Sequence, residues 1–134
     1  MNVVIITGSG GLIGGDTARF FANKGMEVIG VDNDLRRVFF GDKASTKKNH
    51  EALEKELSGY THVDADIRDE KAMSALFKRH GKNIACIVHA AAQPSHDWAA
   101  SDPHMDFTIN ANGTLNLLEL MRQYSPEAAF VFLS

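Results

Sequence analysis

Short apolar runs alternate with segments of helical spacing along the whole chain. Five runs rich in β-branched or apolar residues are typical of strands, and they lie at Asn2–Thr7, Glu27–Val31, Tyr60–Asp64, Ile84–Ala90 and Ala128–Leu133. Helical patterns separate most of them, which is the order of successive βαβ units. Because neighbouring residues within a run are apolar, neither face of the sheet would meet water. The pattern predicts an α/β protein with a doubly wound parallel sheet.

Capping residues mark the helices in the first two thirds of the chain. One helix is expected to begin near Leu12, directly after the first strand, and to end at Gly25. Asp69 is a suitable N-cap for a helix over Glu70–His80, and Gly81 would supply the left-handed position at its C-terminus. These signals predict two amphipathic helices that alternate with strands.

The other helices differ in the strength of their signals. Asp102 followed by Pro103 predicts an N-cap and the first residue of a long helix that reaches about Tyr124. Residues 33–49 are the least patterned part of the chain, and there we predict only a helix at roughly 46–58.

A glycine-rich turn follows the first predicted strand and opens the first helix. Its spacing, Gly8, Gly11 and Gly14, is a variant of the dinucleotide-binding fingerprint, in which glycines allow a sharp turn, close approach of a pyrophosphate and packing of helix on strand. Asp32 ends the second strand. It follows the last glycine of the turn at close to the distance, roughly 20 residues, that is expected of a carboxylate that binds the adenosine ribose. This carboxylate would repel a 2′-phosphate, which favours NAD over NADP. A methyltransferase is the main rival, but Thr7 stands where such enzymes usually carry an acid.

Two arginines keep the alternative cofactor open. Arg36 and Arg37 lie close enough to Asp32 in sequence to accept a 2′-phosphate.

Composition restricts the remaining classes of function. The 134 residues suit one domain, and a net charge of −3 gives no basic field for a nucleic-acid backbone. Cys86 is the only cysteine, so it has no disulfide partner within the chain, and no apolar run is long enough to cross a bilayer. We therefore expect a cytoplasmic protein that is neither secreted nor membrane-spanning, with no nucleic-acid or membrane partner.

Five motifs in order resemble one known family. They are TGSGGLIG at the start, Asp32-Asn33, Asp66-Ile67-Arg68, HAAAQ at 89–93 and NANGTLNLLE at 110–119. Together they resemble the extended short-chain dehydrogenase/reductase family, which contains NAD-dependent nucleotide-sugar epimerases and dehydratases. The details look most like its CDP-paratose (CDP-tyvelose) 2-epimerase branch. The resemblance covers nearly the whole chain and implies a Rossmann fold, here truncated after about five strands.

The resemblance also implies which residues bind NAD. The cofactor-binding candidates are Gly8, Ser9, Gly10, Gly11, Leu12, Ile13, Gly14, Asp32, Asn33, Asp66, Ile67, Ala90, Ala91, Ala92 and Asn110. In the family, the acid and the aliphatic residue corresponding to Asp66 and Ile67 flank the adenine, the alanine stretch passes beside the cofactor, and the asparagine holds the long helix against a cofactor loop.

Simpler readings of some candidates stay open. Asp66 could be a capping acid at a strand end, and alternate residues His62, Asp64 and Asp66 could be imagined as metal ligands, although we predict no metal. His89 is expected to be a hydrogen-bonded packing residue. Residues Gln93–Ser101 are predicted to form a loop, either solvated or in contact with substrate.

No catalytic residue is predicted within the chain. The family's chemistry needs a Tyr-x-x-x-Lys pair, but Tyr60 is followed four residues later by Asp64 and Tyr124 by Ala128. By resemblance, the intact enzyme would transfer a hydride between a sugar and NAD, and the tyrosine would remove the hydroxyl proton. We therefore expect an inactive cofactor-binding half of such an enzyme, without the catalytic segment and substrate lobe. The alternative is a non-catalytic NAD(P)-binding sensor on the same fold.

The long helix also predicts self-association. Phe107, Ala111, Leu115 and Leu118 form one apolar stripe, and a second set extends the apolar surface around the helix: Leu117, Leu120, Met121 and Tyr124. One sheet face cannot cover so wide an arc, so we expect a homodimer through the uncovered part.

Overall fold

Five parallel strands form the centre of the molecule. The computed structural model describes all residues, 1–134. The strands are β1 (Val3–Thr7), β2 (Glu27–Val31), β3 (Tyr60–Val63), β4 (Ile84–His89) and β5 (Ala129–Phe132). Their order in the sheet is β3-β2-β1-β4-β5, and every pairing is parallel. The predicted doubly wound sheet is confirmed, and each strand lies within one residue of its predicted bounds at either end.

Seven α-helices connect the strands. They are α1 (Leu12–Asn23), α2 (Leu35–Phe40), α3 (Lys47–Glu56), α4 (Glu70–His80), α5 (His96–Ser101), α6 (Pro103–Phe107) and α7 (Gly113–Tyr124). A π-helical turn, Thr108–Asn112, joins α6 to α7, and short 3-10 turns occupy Asp42–Ala44 and Gly81–Asn83. No helix combines the length and the apolar character needed to cross a membrane.

The capping predictions are largely confirmed. Asp69 accepts a hydrogen bond from the amide of Ala72 at 3.0 Å, and Asp102 accepts one from Met105 at 3.0 Å, with Pro103 in the first turn. Gly25 follows α1 with a φ of 79°. Gly81 also has a positive φ, 46°, but its ψ of −123° lies outside the left-handed helical region that was predicted.

Two predictions about local structure are wrong. Residues 93–101 are not only a loop, because Ser95 caps the short helix α5 by accepting from the amide of Trp98 at 3.3 Å. The long helix is not regular, because a π-helical turn interrupts it. The apolar positions follow α-helical spacing on both sides of the π-helical turn, so the pattern gave no signal of it.

Apolar side chains cover both faces of the sheet. Alternate residues of β1 point to opposite sides, with Val3 and Ile5 in the core beneath α4 and α7, and Val4 and Ile6 in the core beneath α1 and α3. This burial on both faces explains why the strands are continuous apolar runs.

Some of the apolar residues that were predicted to form a dimer surface on the long helix are buried in the core of the protein. Leu117 and Leu120 are buried in the core, and Met121 and Tyr124 pack against it. Leu117 therefore belongs to the interior and cannot form part of a surface between two copies. The exposed apolar side chains are instead Phe107, Leu115 and Leu118, whose exposed fractions are 61%, 60% and 43%.

Candidate functional site

A cleft lies at the carboxyl edge of the sheet. The chain runs outward from β1 to β2 and β3, and then crosses back to place β4 on the other side of β1. Doubly wound sheets bind ligands at such a switch point. The cleft has a volume of about 620 Å³.

Most of the predicted cofactor-binding residues line this cleft. The glycine turn contributes Gly8, Gly11, Leu12, Ile13 and Gly14. The ends of the strands contribute Asp32, Asn33, Asp66, Ile67, Ala90, Ala91 and Ala92. Ser9, Gly10 and Asn110 do not line it, and their contacts place them directly behind its wall.

Two glycines of the turn are required by its geometry. Gly8 has a φ of 69°, and a Cβ there would lie 2.7 Å from the amide nitrogen of Ala91. A Cβ on Gly14 would collide with the carbonyl oxygen of Gly8. The turn is therefore closed against both the alanine stretch and the first helix, as the fingerprint requires.

The first turn of α1 is suited to an anion. Gly11 is its N-cap and makes no side-chain cap hydrogen bond, and the first helical turn carries no acidic residue. The backbone amides at the start of a helix lack intrahelical acceptors and carry partial positive charge. This helix start faces the cleft through Leu12, Ile13 and Gly14.

Ser9 and Gly10 support the turn. The hydroxyl of Ser9 is fully buried and accepts a hydrogen bond from the Tyr60 hydroxyl at 3.0 Å, so its side chain points into the protein. The Gly10 amide donates to Asp32 Oδ2 at 3.1 Å.

The carboxylate of Asp32 is held at both oxygens. Besides the Gly10 amide on Oδ2, the amide of Asp34 and the hydroxyl of Thr46 donate to Oδ1, each at 2.8 Å. Thr46 lines the cleft beside Asp32. Sequence reasoning missed Thr46, and the only signal was its position just before the predicted helix at 46–58.

The two neighbouring arginines have other partners. The Arg36 guanidinium lies 5.1 Å from the centre of the Phe40 ring, and Arg37 Nε lies 3.8 Å from Asp34 Oδ2. Arg36 lines the cleft, whereas Arg37 does not.

Asp66 is kept ionised by the residue two positions later. Burial opposes its ionisation, but the side chain and amide of Arg68, together with Asn33, hold the pKa of the Asp66 carboxyl below its usual value. Arg68 Nη2 lies 2.7 Å from Asp66 Oδ2, and Arg68 Nη1 donates to Thr108 at 3.2 Å. The pair ties the end of β3 to the π-helical turn.

Ile67 lines the cleft next to Asp66, and two contacts with α7 hold it in place. A Cβ on Gly113 would collide with the Ile67 side chain, so the two residues are in direct contact. Asn116 donates to the Ile67 carbonyl at 3.3 Å.

Asn110 holds the loop that follows β4. Its Oδ1 accepts from the amide of Gln93 at 2.9 Å, and its Nδ2 donates to the Gln93 carbonyl at 3.3 Å and to Asp106 at 3.1 Å. The Gln93 side chain is buried and donates to Asp106 at 2.9 Å. Asn110 therefore holds the end of the alanine stretch from behind.

His89 is a fully hydrogen-bonded packing residue, as predicted. Its exposed fraction is 2%, with Nδ1 2.7 Å from the hydroxyl oxygen of Thr7 and Nε2 2.9 Å from that of Thr114. The Thr114 hydroxyl donates to the carbonyl of Asn110. Burial lowers the pKa of His89 to about 4.

These contacts fix the tautomer of His89. Because the Thr114 proton is already donated to Asn110, Nε2 must carry the ring proton and donate it to Thr114, and Nδ1 must accept from Thr7. The Thr7 oxygen in turn accepts from the amide of Ala91 at 3.2 Å. A continuous chain of hydrogen bonds thus links the alanine stretch, the sheet and the long helix.

The imagined metal cluster does not form. His62 stacks on His50 with ring centres 3.8 Å apart, and no group of three or more His, Cys, Asp or Glu side chains is placed to hold a metal ion.

Helices α2 and α5 pack against each other. The indole Nε1 of Trp98 in α5 donates to the carbonyl of Phe39 in α2 at 3.2 Å, and the two rings meet edge to face at 5.5 Å. Helix α2 follows β2 and helix α5 follows β4, so this contact joins elements on either side of β1.

The sequence of this chain is similar to those of known proteins. The model of the NAD dependent epimerase/dehydratase family matches residues 4–134. CDP-paratose 2-epimerase from Salmonella typhi is 32% identical over 131 residues, which cover 98% of this chain and 36% of that protein. UDP-glucuronate 4-epimerase 4 from Arabidopsis thaliana is 32% identical over 133 residues, covering 98% and 28%. The chain thus spans about a third of the length of these curated relatives.

Solved structures give the same result. UDP-glucose 4-epimerase from Bifidobacterium longum, in complex with NAD⁺ and UDP, superposes with a TM-score of 0.80 at 28% identity. UDP-glucose-4-epimerase from Stenotrophomonas maltophila, with bound NAD and formylated UDP-arabinopyranose, superposes with a TM-score of 0.79 at 27% identity. Each match covers 98% of this chain and 36% of the other.

Proposed function

Because the chain belongs to the NAD dependent epimerase/dehydratase family, we propose that it forms the NAD-binding part of a nucleotide-sugar epimerase or dehydratase. One observation supports this most strongly. The glycine turn, Asp32, the Asp66-Ile67 pair and the alanine stretch are far apart in sequence, yet they line one cleft at the switch point of the sheet.

The residues of the cleft fit the parts of a dinucleotide. The start of α1 would hold the pyrophosphate, since its amides are free of capping side chains and the close packing of Gly8 and Gly14 fixes the turn in front of them. Asp32 would accept from the adenosine ribose, and Asp66 with Ile67 would bound the adenine. The small side chains of Ala90, Ala91 and Ala92 would leave space on the nicotinamide side.

The charge near the ribose site favours NAD over NADP. The carboxylate of Asp32 faces the cleft, and a 2′-phosphate would place negative charge against it. Of the two arginines that could compensate, Arg37 pairs with Asp34 and does not line the cleft. Arg36 contacts Phe40 and lines the cleft, so it is the one positive charge that would work against this preference.

When bound, NAD supplies a hydride acceptor and donor for a sugar carbon. The residues of this chain would bind NAD and orient it. Neither of its two tyrosines is followed by lysine four positions later, so we expect the 134-residue protein to bind NAD without turning over nucleotide sugars.

An activity assay tests the enzyme proposal. The 134-residue protein and a longer natural chain that contains it would be assayed on CDP- and UDP-sugars. We expect no turnover by the first and epimerase or dehydratase turnover by the second. Tight NAD binding by both, with no turnover by either, would favour a non-catalytic NAD(P)-binding sensor instead. Cytoplasmic location and the lack of nucleic-acid and membrane partners stay predictions.

We also propose that the protein forms a homodimer through the long helix. Phe107, Leu115 and Leu118 are large apolar side chains exposed on the long helix, and Ala111 between them in sequence is exposed as well. Exposed apolar side chains grouped on one element are typical of protein interfaces.

The oligomeric state tests the dimer. We expect sedimentation or light scattering at about 100 µM, where a micromolar interface would be mostly occupied, to report a dimer. Leu115→Glu and Leu118→Glu should shift it toward monomer while the fold is retained, because both side chains are exposed. A monomeric wild type at that concentration would contradict the proposal.

A further inference from the structure

Residues 45–49, which we call the strap, lie directly against the glycine turn. A Cβ placed on Gly10 would lie 2.6 Å from Thr46 Cβ, so the Thr46 side chain packs directly on the Gly10 backbone. Asn49 Nδ2 donates to the Gly10 carbonyl at 2.7 Å. The strap is therefore part of the wall that positions the turn, although it lies more than thirty residues away in sequence.

One hydroxyl connects two carboxylates in this wall. Thr46 Oγ1 lies 2.8 Å from Asp32 Oδ1 and 3.2 Å from Asp34 Oδ1, and its residue is only 4% exposed. A hydroxyl has a single proton to donate, so the two carboxylates share it and the shorter contact is to Asp32.

Asp34 anchors the strap. Its Oδ1 accepts from the amide of Thr46 at 2.7 Å, and its Oδ2 accepts from the hydroxyl of Ser45 at 2.8 Å. Burial opposes its ionisation, but these bonds and the charge of Arg37 hold the pKa of the Asp34 carboxyl below its usual value.

The backbone conformation of Asp34 is unusual, and the contacts between Asp34 and the strap enforce it. Asp34 is the only residue other than glycine with a positive φ, 58°. Such a conformation costs of order 1 kcal/mol and persists where surrounding contacts enforce it. Here the contacts are the bonds from Ser45 and Thr46.

The anchored strap leaves Asp32 little freedom. Its Oδ2 is held by the Gly10 amide, and its Oδ1 by the Asp34 amide and the Thr46 hydroxyl. A carboxylate held at both oxygens keeps a fixed plane, and Asp32 still lines the cleft.

We propose that Thr46 is a positioning residue that, anchored by Asp34, orients the Asp32 carboxylate and thereby sets the affinity and selectivity for an unphosphorylated adenosine ribose. The inference rests on the proposed NAD-binding function and deepens it. Thr46 acts through Asp32, and Asp34 acts through Thr46, whose amide its carboxylate holds.

Three threonine variants test this. Thr46→Val removes the hydroxyl and keeps the shape, Thr46→Ser keeps the hydroxyl and removes the methyl group, and Thr61→Val is a matched control at an exposed position on β3. Affinities of the 134-residue protein for NADH and NADPH would be measured for each variant and the wild type, well below the unfolding temperature.

We expect the NADH and NADPH affinities to depend only on whether residue 46 carries a hydroxyl group. Thr46→Val should weaken NADH binding about ten-fold, the effect of roughly one hydrogen bond to a charged group, and should lower the ratio of NADH to NADPH affinity. Thr46→Ser should behave as the wild type, as should Thr61→Val. If Thr46 only stabilised the fold, Thr46→Val would lower the thermal stability and leave the ratio of NADH to NADPH affinity unchanged.

A cofactor-free measurement separates the two proposals. The amide resonance of Gly10 reports its bond to Asp32, and it should shift and exchange faster in Thr46→Val but not in Thr46→Ser. If the wild type bound no dinucleotide, the proposed function would fail, and this resonance would still decide whether the strap orients Asp32. An unchanged Gly10 resonance in Thr46→Val, or unchanged NADH affinity where the wild type binds, would overturn the inference.

Discussion

Acid should destabilise this protein through one buried histidine, His89. Its ring is 2% exposed and bonded to Thr7 and Thr114, and the aromatic rings of Phe130 and Phe132 lie nearby. Protonation would force Nδ1 to become a donor toward Thr7, whose proton already points at it. No carboxylate contributes to its environment, so burial alone lowers its pKa from 6.5 to about 4.

The size and sign of the effect follow from this pKa. Because the folded pKa lies below the unfolded one, the unfolded state binds the proton more readily, and the stability contribution is complete above pH 6.5 and is lost as pH falls toward 4. Each pKa unit corresponds to roughly 1.4 kcal/mol, so the loss between pH 7 and pH 4 should be about 3 kcal/mol. That is a large share of the stability of a small domain.

Denaturant unfolding at several pH values measures the effect. His89→Gln removes the titrating group, so its free energy of unfolding should fall less steeply with acid than that of the wild type, by about 3 kcal/mol over this range. His104→Gln, at an exposed position of α6, is the control and should parallel the wild type. If His89→Gln does not fold, the ring carbon resonances of His89 in the wild type give its pKa directly. A His89 that titrates near 6.5, or parallel slopes for wild type and His89→Gln, would refute the reasoning.

Three further predictions concern single substitutions, one of them with a matched control. Asp32→Ala should weaken NADH binding more than Thr46→Val does and should reduce the preference over NADPH, as measured by competition titration. Leu117→Ala should lower the free energy of unfolding by about 2–5 kcal/mol, whereas Leu115→Ala on the exposed side of the same helix should change it by less than about 1 kcal/mol. Asn110→Leu should destabilise the protein by about 1–3 kcal/mol and speed hydrogen exchange at residues 90–93, because it removes both bonds to the Gln93 backbone.

Elements with strong local signals were predictable from the sequence. The strands are continuous apolar runs because both faces of the sheet are covered, and the ends of those runs place Asp32, Asp66 and the alanine stretch at one edge. The caps at Asp69 and Asp102 form as predicted because a capping carboxylate needs only the amides of the next turn.

Features fixed by distant contacts were not predictable. The attachment of the strap was not predictable, since the Ser45 hydroxyl and the Thr46 amide hold it to Asp34, and such bonds leave no periodic pattern in the sequence. Both apolar stripes of the long helix have helical spacing, and only the packing of α4 against α7 decides that Leu117 is buried while Leu115 is exposed. Asn110 lies in the π-helical turn and bonds to the backbone of Gln93, a contact that the family resemblance implied but that no spacing rule indicates.

Binding of NADH to the 134-residue protein tests the central claim most directly. Trp98 is the only tryptophan, and its helix packs on α2, which contributes Leu35 and Arg36 to the cleft, so excitation of Trp98 should sensitise the emission of NADH bound there. We predict saturable energy transfer that NAD displaces and that NADPH produces only at higher concentration. An absence of saturable transfer up to about 1 mM NADH, a concentration that would detect even weak binding, or tighter binding of NADPH, would contradict the claim.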